Sequence, residues 1–212
     1  ALVMVASPHP RPASALSSDV VISQVYGGGG NTNAPYTHDY VELFNRGASS
    51  VNLAGWSIQY ASATGTGNFG ATATQLTELT GTLAPGQYLL IQEASTAAVG
   101  VALPTPDIID PTPIAMSGTA GKVALVTQAT TLGCNGGSTA CDGTQMALIK
   151  DLVGFGTANF YEGSAAAPAP SNTTALFRAA NGCTETDQNS TDFAAAAPGP
   201  RNTATTFNVC GG

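Results

Sequence analysis

Four oxygen-bearing side chains lie close together late in the sequence, namely Glu185, Asp187, Asn189 and Asp192. Carboxylate and amide oxygens that alternate along a loop are the ligands that Ca²⁺ prefers in proteins. The loop lacks the central glycine and the terminal bidentate glutamate of an EF-hand, and Asp and Asn side chains also cap turns. The pattern therefore leaves calcium binding and turn capping as alternatives, and it indicates no other cofactor.

The four cysteines allow three disulfide pairings. Cys134 and Cys141 stand at the two ends of a Gly/Ser/Thr loop, so their pairing closes a small loop and leaves Cys183 to pair with Cys210. A metal site is the alternative, but the chain has no Cys-x-x-Cys pair and both histidines lie far from the cysteines. Two disulfides favour an oxidising compartment, and hence a protein that is secreted or held at the cell surface.

No catalytic constellation is recognisable in the sequence, which contains neither G-x-S-x-G nor H-E-x-x-H. His38 stands beside Asp39, but no partner nucleophile accompanies them in a known motif. Residues 27–30 and 118–122 are glycine-containing loops that lack either the following helix or the Ser/Thr of a phosphate-binding loop. We therefore predict that the protein is not an enzyme.

The composition is typical of an extracellular β protein. Hydrophobic residues make up 43% and charged residues only 9%, so uncharged polar residues must cover most of the surface. The net charge of −7, with the six basic residues scattered along the chain, makes nucleic acid an unfavourable partner. No run is long and apolar enough to predict a membrane span.

Short apolar runs between Gly/Pro turns predict the strands that must position these residues. The clearest stretch is 39–60, two strand-like runs joined by a polar turn, in which Trp56 is the single Trp. Further strands are predicted at 20–26, 76–83, 87–92, 122–128, 146–155 and 175–178. Alternation of apolar side chains places four residues of the first stretch in the core, namely Val41, Leu43, Trp56 and Ile58. Without any convincing helix, the pattern predicts an all-β protein, a β-sandwich with long loops.

Seven blocks in order carry a family resemblance over about residues 19–210. They are VVISQVYGGGGNTNAPYTHDYVELFNRG, VNLAGWSIQYAS, LAPGQYLLI, GKVALV, DLVGFGTANFYEG, SNTTALFR and GCTETDQNSTDFAAAAPGPRN. Together they resemble the lamin tail domain family, in its bacterial, secreted branch. The resemblance implies an immunoglobulin-like β-sandwich and a function that is not catalytic. Domains of this family occur beside secreted nuclease or phosphatase domains, on cell-surface proteins and in nuclear lamins.

Residues 1–18 form an N-terminal extension in front of the predicted domain 19–212. Its first six residues are all apolar, namely Ala1, Leu2, Val3, Met4, Val5 and Ala6. Prolines at 8, 10 and 12 then predict a stiff, extended spacer. Three interpretations remain open: a signal-peptide remnant cleaved after residues 13–15, which read Ala-Ser-Ala, a strand that adds to the edge of a sheet, or an incidental tail.

These features predict a non-catalytic, secreted structural module that self-associates into a homo-oligomer or filament. Donation of the strand 1–6 from subunit to subunit would be a head-to-tail contact, and such contacts give filaments when they do not close into a ring. The alternative is a binding or accessory module of a secreted nuclease or phosphatase system, or of a cell-surface protein. Such a module would contact carbohydrate, protein or DNA through its loops.

Overall fold

The computed structural model describes residues 17–211. The strand predicted at residues 1–6 and the predicted cleavage site at residues 13–15 lie outside these described residues. Two short helices occur in the described part, α1 Gly143–Leu148 and α2 Asn189–Asp192. Its strands are β1 Val20–Tyr26, β2 Tyr40–Asn45, β3 Val51–Asn52, β4 Ser57–Ser62, β5 Leu76–Glu78, β6 Thr82–Leu83, β7 Tyr88–Gln92, β8 Ile108–Ile109, β9 Gly121–Val126, β10 Ile149–Phe155, β11 Ala175–Arg178 and β12 Phe193–Ala196.

The strands form two principal sheets. The larger has six strands in the order β12-β11-β1-β2-β7-β8, and the smaller has four in the order β10-β9-β4-β5. Neighbours in both sheets are antiparallel, except that β8 runs parallel to β7. The short strands β3 and β6 pair with each other outside these two sheets. At one side of the molecule β5 and β8 are the outermost strands of their sheets, and this edge is described further below.

Side chains from both sheets meet in one apolar core, which confirms the predicted all-β sandwich. Val41 and Leu43 reach it from β2 and Ile58 from β4, and all three are fully buried. Full burial of such a side chain contributes about 1.5–3 kcal/mol each. Trp56 is only partly buried and packs against the margin of this core. It lies in the turn before β4, where its backbone N–H donates to the Leu53 carbonyl, so it flanks the sandwich instead of filling it.

The stretch 39–60 connects the two sheets, because β2 belongs to the six-stranded sheet and β4 to the four-stranded one. Between them the chain makes the polar turn, pairs briefly as β3, and turns again at Gly55, whose φ of 83° favours glycine. Alternation predicted both strands but not their partners. A period of two shows which side chains share a face, and it carries no information on which strand lies alongside.

Two predicted strands differ in the structure. Residues 146–148 belong to α1, because Asp142 and Gln145 form a capping box that starts a helical turn there. The predicted strand 76–83 is interrupted at Gly81, which has a φ of 85°. Its first part, β5, pairs with β4, whereas its last part, β6, pairs with β3.

Two disulfides are present, Cys134–Cys141 and Cys183–Cys210. The first closes a loop with a sequence separation of 7, and the second, with a separation of 27, holds the last described residues against Phe44 and Tyr88. Neither described helix is long or apolar enough to cross a bilayer.

Candidate functional site

The four residues of the predicted calcium loop lie between β11 and the end of α2, and their oxygens face different partners. Asp192 accepts hydrogen bonds from the Thr186 backbone N–H at 2.9 Å and from its hydroxyl at 2.6 Å, as a turn cap does. The Asn189 side-chain oxygen accepts from the Gly154 N–H at 2.8 Å and so ties α2 to β10. Asp187 has a left-handed φ of 54°, and Glu185 turns inward toward an arginine. Calcium binding by this set stays a prediction.

Titration calorimetry distinguishes calcium binding from turn capping. Because both oxygens of Asp192 already accept hydrogen bonds, we expect any affinity of EDTA-treated protein for Ca²⁺ to be in the range of about 10⁻⁴–10⁻³ M, as for extracellular modules. Asp187→Asn should weaken calcium binding and so reduce the measured heat. Asp142→Asn, at a helix N-cap where Asn is equally suitable, is the matched control. Absence of heat at millimolar Ca²⁺ would exclude the calcium site.

Arg178, the last residue of β11, is the centre of a buried ionic cluster, and its side chain is 0% exposed. Its Nη2 lies 2.9 and 2.7 Å from the two carboxylate oxygens of Asp151 in β10, and its Nη1 pairs with Glu185. Asp192 lies 3.7 Å from the same Nη1. Arg178 Nε donates to the Ile22 carbonyl in β1 at 2.9 Å. The guanidinium therefore joins the two sheets through the interior of the sandwich.

The cluster holds more carboxyl groups than cations. Oxygens of Asp151, Glu162 and Glu185 all lie within 4.8 Å of one another, and all three residues are buried. Burial raises the pKa of Glu162 well above its usual range, and the charges of Asp151 and Glu185 raise it further. Burial also raises the pKa of Glu185 to about 7. At neutral pH the cluster therefore retains protons. By distance these three carboxyls could also ligate a metal, and only Glu185 among them belongs to the loop singled out from the sequence.

Sequence reasoning missed Asp151, Glu162 and Arg178 as a set. One signal was available for Asp151, which lies beside Lys150 in a predicted strand whose other residues are apolar. A charge in a strand that is buried on both faces must be paired, so a partner had to exist. Arg178 is 27 residues away in the sequence, and no pattern connects the two.

His38 and Asp39, which are adjacent in the sequence, have separate surroundings in the structure. Asp39 accepts from the backbone N–H groups of Gly29 and Met116 at 2.7 and 3.0 Å, and burial raises its pKa to about 7. The neighbouring His38 ring contacts the Thr37 hydroxyl at 2.8 Å. These contacts place the two side chains in different hydrogen-bond networks.

Lys122 is fully buried. Its ammonium donates to the Asn135 carbonyl at 2.8 Å and to the Asn159 side chain at 3.0 Å. Burial lowers its pKa to about 8. The glycine-containing stretch 118–122 therefore leads into β9, whose Lys122 lies in the interior and links two loops.

A groove of about 700 Å³ lies between the edge strands β5 and β8. We call it the edge groove and define it by its lining residues, 70–73, 76–78, 108–112 and 129–131. Leu76 and Ile108 are partly buried in it, and Ile109 is 63% exposed at its rim. Its volume is within the range of about 300–1,000 Å³ that binding clefts occupy.

The floor of the edge groove contains a hydroxyl between two carboxyl groups. Thr77 Oγ1 lies 2.6 Å from Glu93 Oε1 and 2.5 Å from Asp110 Oδ2. A hydroxyl has one proton and can donate to only one of them, so the other carboxyl must itself carry a proton. Burial, together with the nearby charges of Asp110 and Asp39, raises the pKa of Glu93 to about 8, so Glu93 is the protonated member. Because Thr77 is in β5 and Glu93 follows β7, this proton links the two sheets.

The comparisons with known proteins place these features in a family context. A family model described as Lamin Tail Domain matches residues 13–183. The matched range contains β1 to β11, the edge groove, and Asp151, Glu162 and Arg178 of the ionic cluster, and it ends before the predicted calcium loop. No curated protein matches the chain.

Proposed function

This chain belongs to the lamin tail domain family, and we propose that it is a non-catalytic extracellular module that assembles with further copies of itself. The observation that carries the proposal is the pair of edge strands β5 and β8, which leave one side of the sandwich with an apolar groove. An exposed sheet edge is a template for pairing with another chain.

The extracellular part of the proposal is supported by the two disulfides, since such bonds persist in oxidising compartments. The low fraction of charged residues, 9%, agrees with a surface that depends on uncharged polar groups.

The assembly part of the proposal is supported by the apolar run at residues 1–6 and the proline-rich spacer that follows it. A spacer of ten residues, 7–16, in extended polyproline conformation is about 30 Å long, which is enough to reach a neighbouring molecule. Donation of this run to the next copy is a head-to-tail contact that extends into a filament.

Deletion of residues 1–15 is expected to convert the assembling protein into a folded monomer. Light scattering and negative-stain micrographs report the assembly, and circular dichroism reports the fold. Val3→Asp in the full chain should have the same effect, because a charge would enter an apolar contact, whereas Ser7→Asp in the spacer is the matched control. Filaments formed equally well by the deletion variant would contradict strand donation. A secreted protein whose mass corresponds to a chain starting at Leu16 would support the signal-peptide interpretation instead.

An accessory binding module is the second candidate, and the threonine content of the edge groove favours it. Thr72, Thr112, Thr130 and Thr131 line a groove that also offers apolar surface, a combination suited to carbohydrate. The net charge of −7 disfavours DNA. Binding of a glycan by a protein that remains monomeric would favour this candidate over assembly.

A further inference from the structure

We infer that the edge groove is the acceptor site for residues 1–6 of a second copy, which lie between β5 and β8 as an added strand. The inference rests on the proposed function and deepens it, because it names the surface that receives the donated strand. The occupant is a segment of this chain outside the described residues.

The walls of the groove are suited to an added strand. Among the described residues, β5 has β4 as its only neighbour in the four-stranded sheet, and β8 has only β7 in the six-stranded sheet. The outer side of such strands presents backbone N–H and C=O groups to solvent. Ile108 packs against the main core while lining the groove, so an apolar strand seated there extends the core outward.

The composition of residues 1–6 matches this position. All six are apolar, without the alternation of a strand that has one face in water. A strand laid in the groove has β5 along one side and β8 along the other, with Leu76 and Ile108 against it, so little of its surface faces water. The small residues Gly70, Ala71, Ala73 and Ala129 line the same groove and leave room for Leu, Val and Met side chains.

Charge complementarity favours the same occupant. The lining residues include Glu78 and Asp110 and no lysine or arginine. Residues 1–16 contain Arg11 and no acidic residue. The spacer that carries the donated strand is therefore cationic, and the groove that receives the strand is anionic.

The direction of the chain favours a second copy over the same molecule. Val20 lies opposite Asn45 at the beginning of β1, whereas Val25 and Tyr26 lie opposite Val41 and Tyr40. β8 lies at the end of the sheet where β1 finishes, since it pairs with the residues of β7 that face Val41 and Tyr40. The chain before β1 thus leaves at the end of the sheet away from the groove, and three strand positions, about 14 Å, to the side. A stiff spacer would have to double back along the sheet to enter the groove of its own molecule.

The test uses the full chain. Ile109→Lys should abolish assembly at concentrations at which the unmodified protein assembles, whereas Val209→Lys should not. Val209 is the matched control because it is 68% exposed, against 63% for Ile109, and lies next to Cys210 at another part of the surface. Copies with Val3→Cys mixed with copies with Ile109→Cys should form an inter-copy disulfide, identified by peptide mass mapping, which Val209→Cys copies should not form.

The outcomes separate the two proposals. If the unmodified protein never assembles, the proposed function fails. If it assembles, and Val3→Asp abolishes assembly while Ile109→Lys does not, the groove is not the acceptor and the proposed function stands. Cross-linking of Val3 to Ile109 within one molecule, or prevention of cross-linking by a glycan that leaves assembly unchanged, would also overturn the inference. The cross-linking result decides the question if Ile109→Lys fails to fold.

Discussion

Replacing Arg178 with methionine is expected to lower the free energy of unfolding by about 3–5 kcal/mol. The guanidinium is fully buried, contacts both oxygens of Asp151 and pairs with Glu185. Methionine fills a similar volume but leaves these carboxyl groups without a cation in the interior, where an uncompensated charge is costly. The loss should be smaller near pH 5 than at pH 8, because protonated carboxyls need no counter-charge. Urea unfolding of the disulfide-intact protein measures it.

Lys150→Met is the control for this experiment. Lys150 pairs with Asp19 at 2.7 Å, but the two side chains are 23% and 32% exposed, so the pair contributes at most about 1 kcal/mol. If Arg178→Met cost no more than Lys150→Met, the ionic cluster would not be what joins the two sheets.

The second expected result is that Glu93→Gln removes part of the pH dependence of the free energy of unfolding. The folded-state pKa of Glu93 is about 8, above the ordinary value of 4.5 that applies to the unfolded chain. At pH values between these two, the folded protein binds one proton more than the unfolded chain. The stabilisation that this proton provides is therefore complete below about pH 4.5 and is lost as the pH rises to about 8. The loss is about 1.4 kcal/mol for each pH unit. Glutamine keeps a donor toward Thr77 and an acceptor for the Ile114 N–H without titrating.

The measurement is the difference in unfolding free energy between Glu93→Gln and the unmodified protein from pH 4.5 to 9. Asp39 and Glu185, whose pKa values burial raises to about 7, add a fall of the same sign to both proteins, so the difference reports on Glu93 and on its coupling to Asp39. Glu78→Gln, the same substitution at an exposed position of β5, is the matched control. A difference that stays constant with pH would mean that Glu93 does not hold the proton shared at the edge groove.

The sequence predicted the fold class and most strands, because alternating apolar side chains such as Val41, Leu43 and Ile58 report directly on burial. It did not predict which strands are neighbours, so the separation of β2 from β4 into different sheets was missed. Trp56 shows the limit of reasoning from residue type, since its size suggested the centre of the core and its place in a turn puts it at the margin.

The polar networks were out of reach for a related reason. Glu93 and Asp110 lie 16 and 33 residues after Thr77 in the sequence. The three side chains meet only because β5 and β8 are the edge strands of two different sheets on the same side of the molecule. The alternation of apolar residues reports on burial within one segment, whereas the contacts that set pKa values join different segments. The cysteine loop was an exception, because its partners are 7 residues apart and its local composition indicated the closure.

The position of β1 has a mechanical consequence. The strand is hydrogen-bonded on both sides, to β2 and to β11, and its polypeptide continues directly into the proline-rich spacer. Tension in a head-to-tail filament would pull along the strand axis, which loads both ladders in shear, so their hydrogen bonds must break together instead of one after another. Arg178 binds the Ile22 carbonyl of this same strand and anchors it to Asp151 in the opposite sheet. The element that would bear the traction is thus held by two neighbouring strands and by the buried ionic cluster.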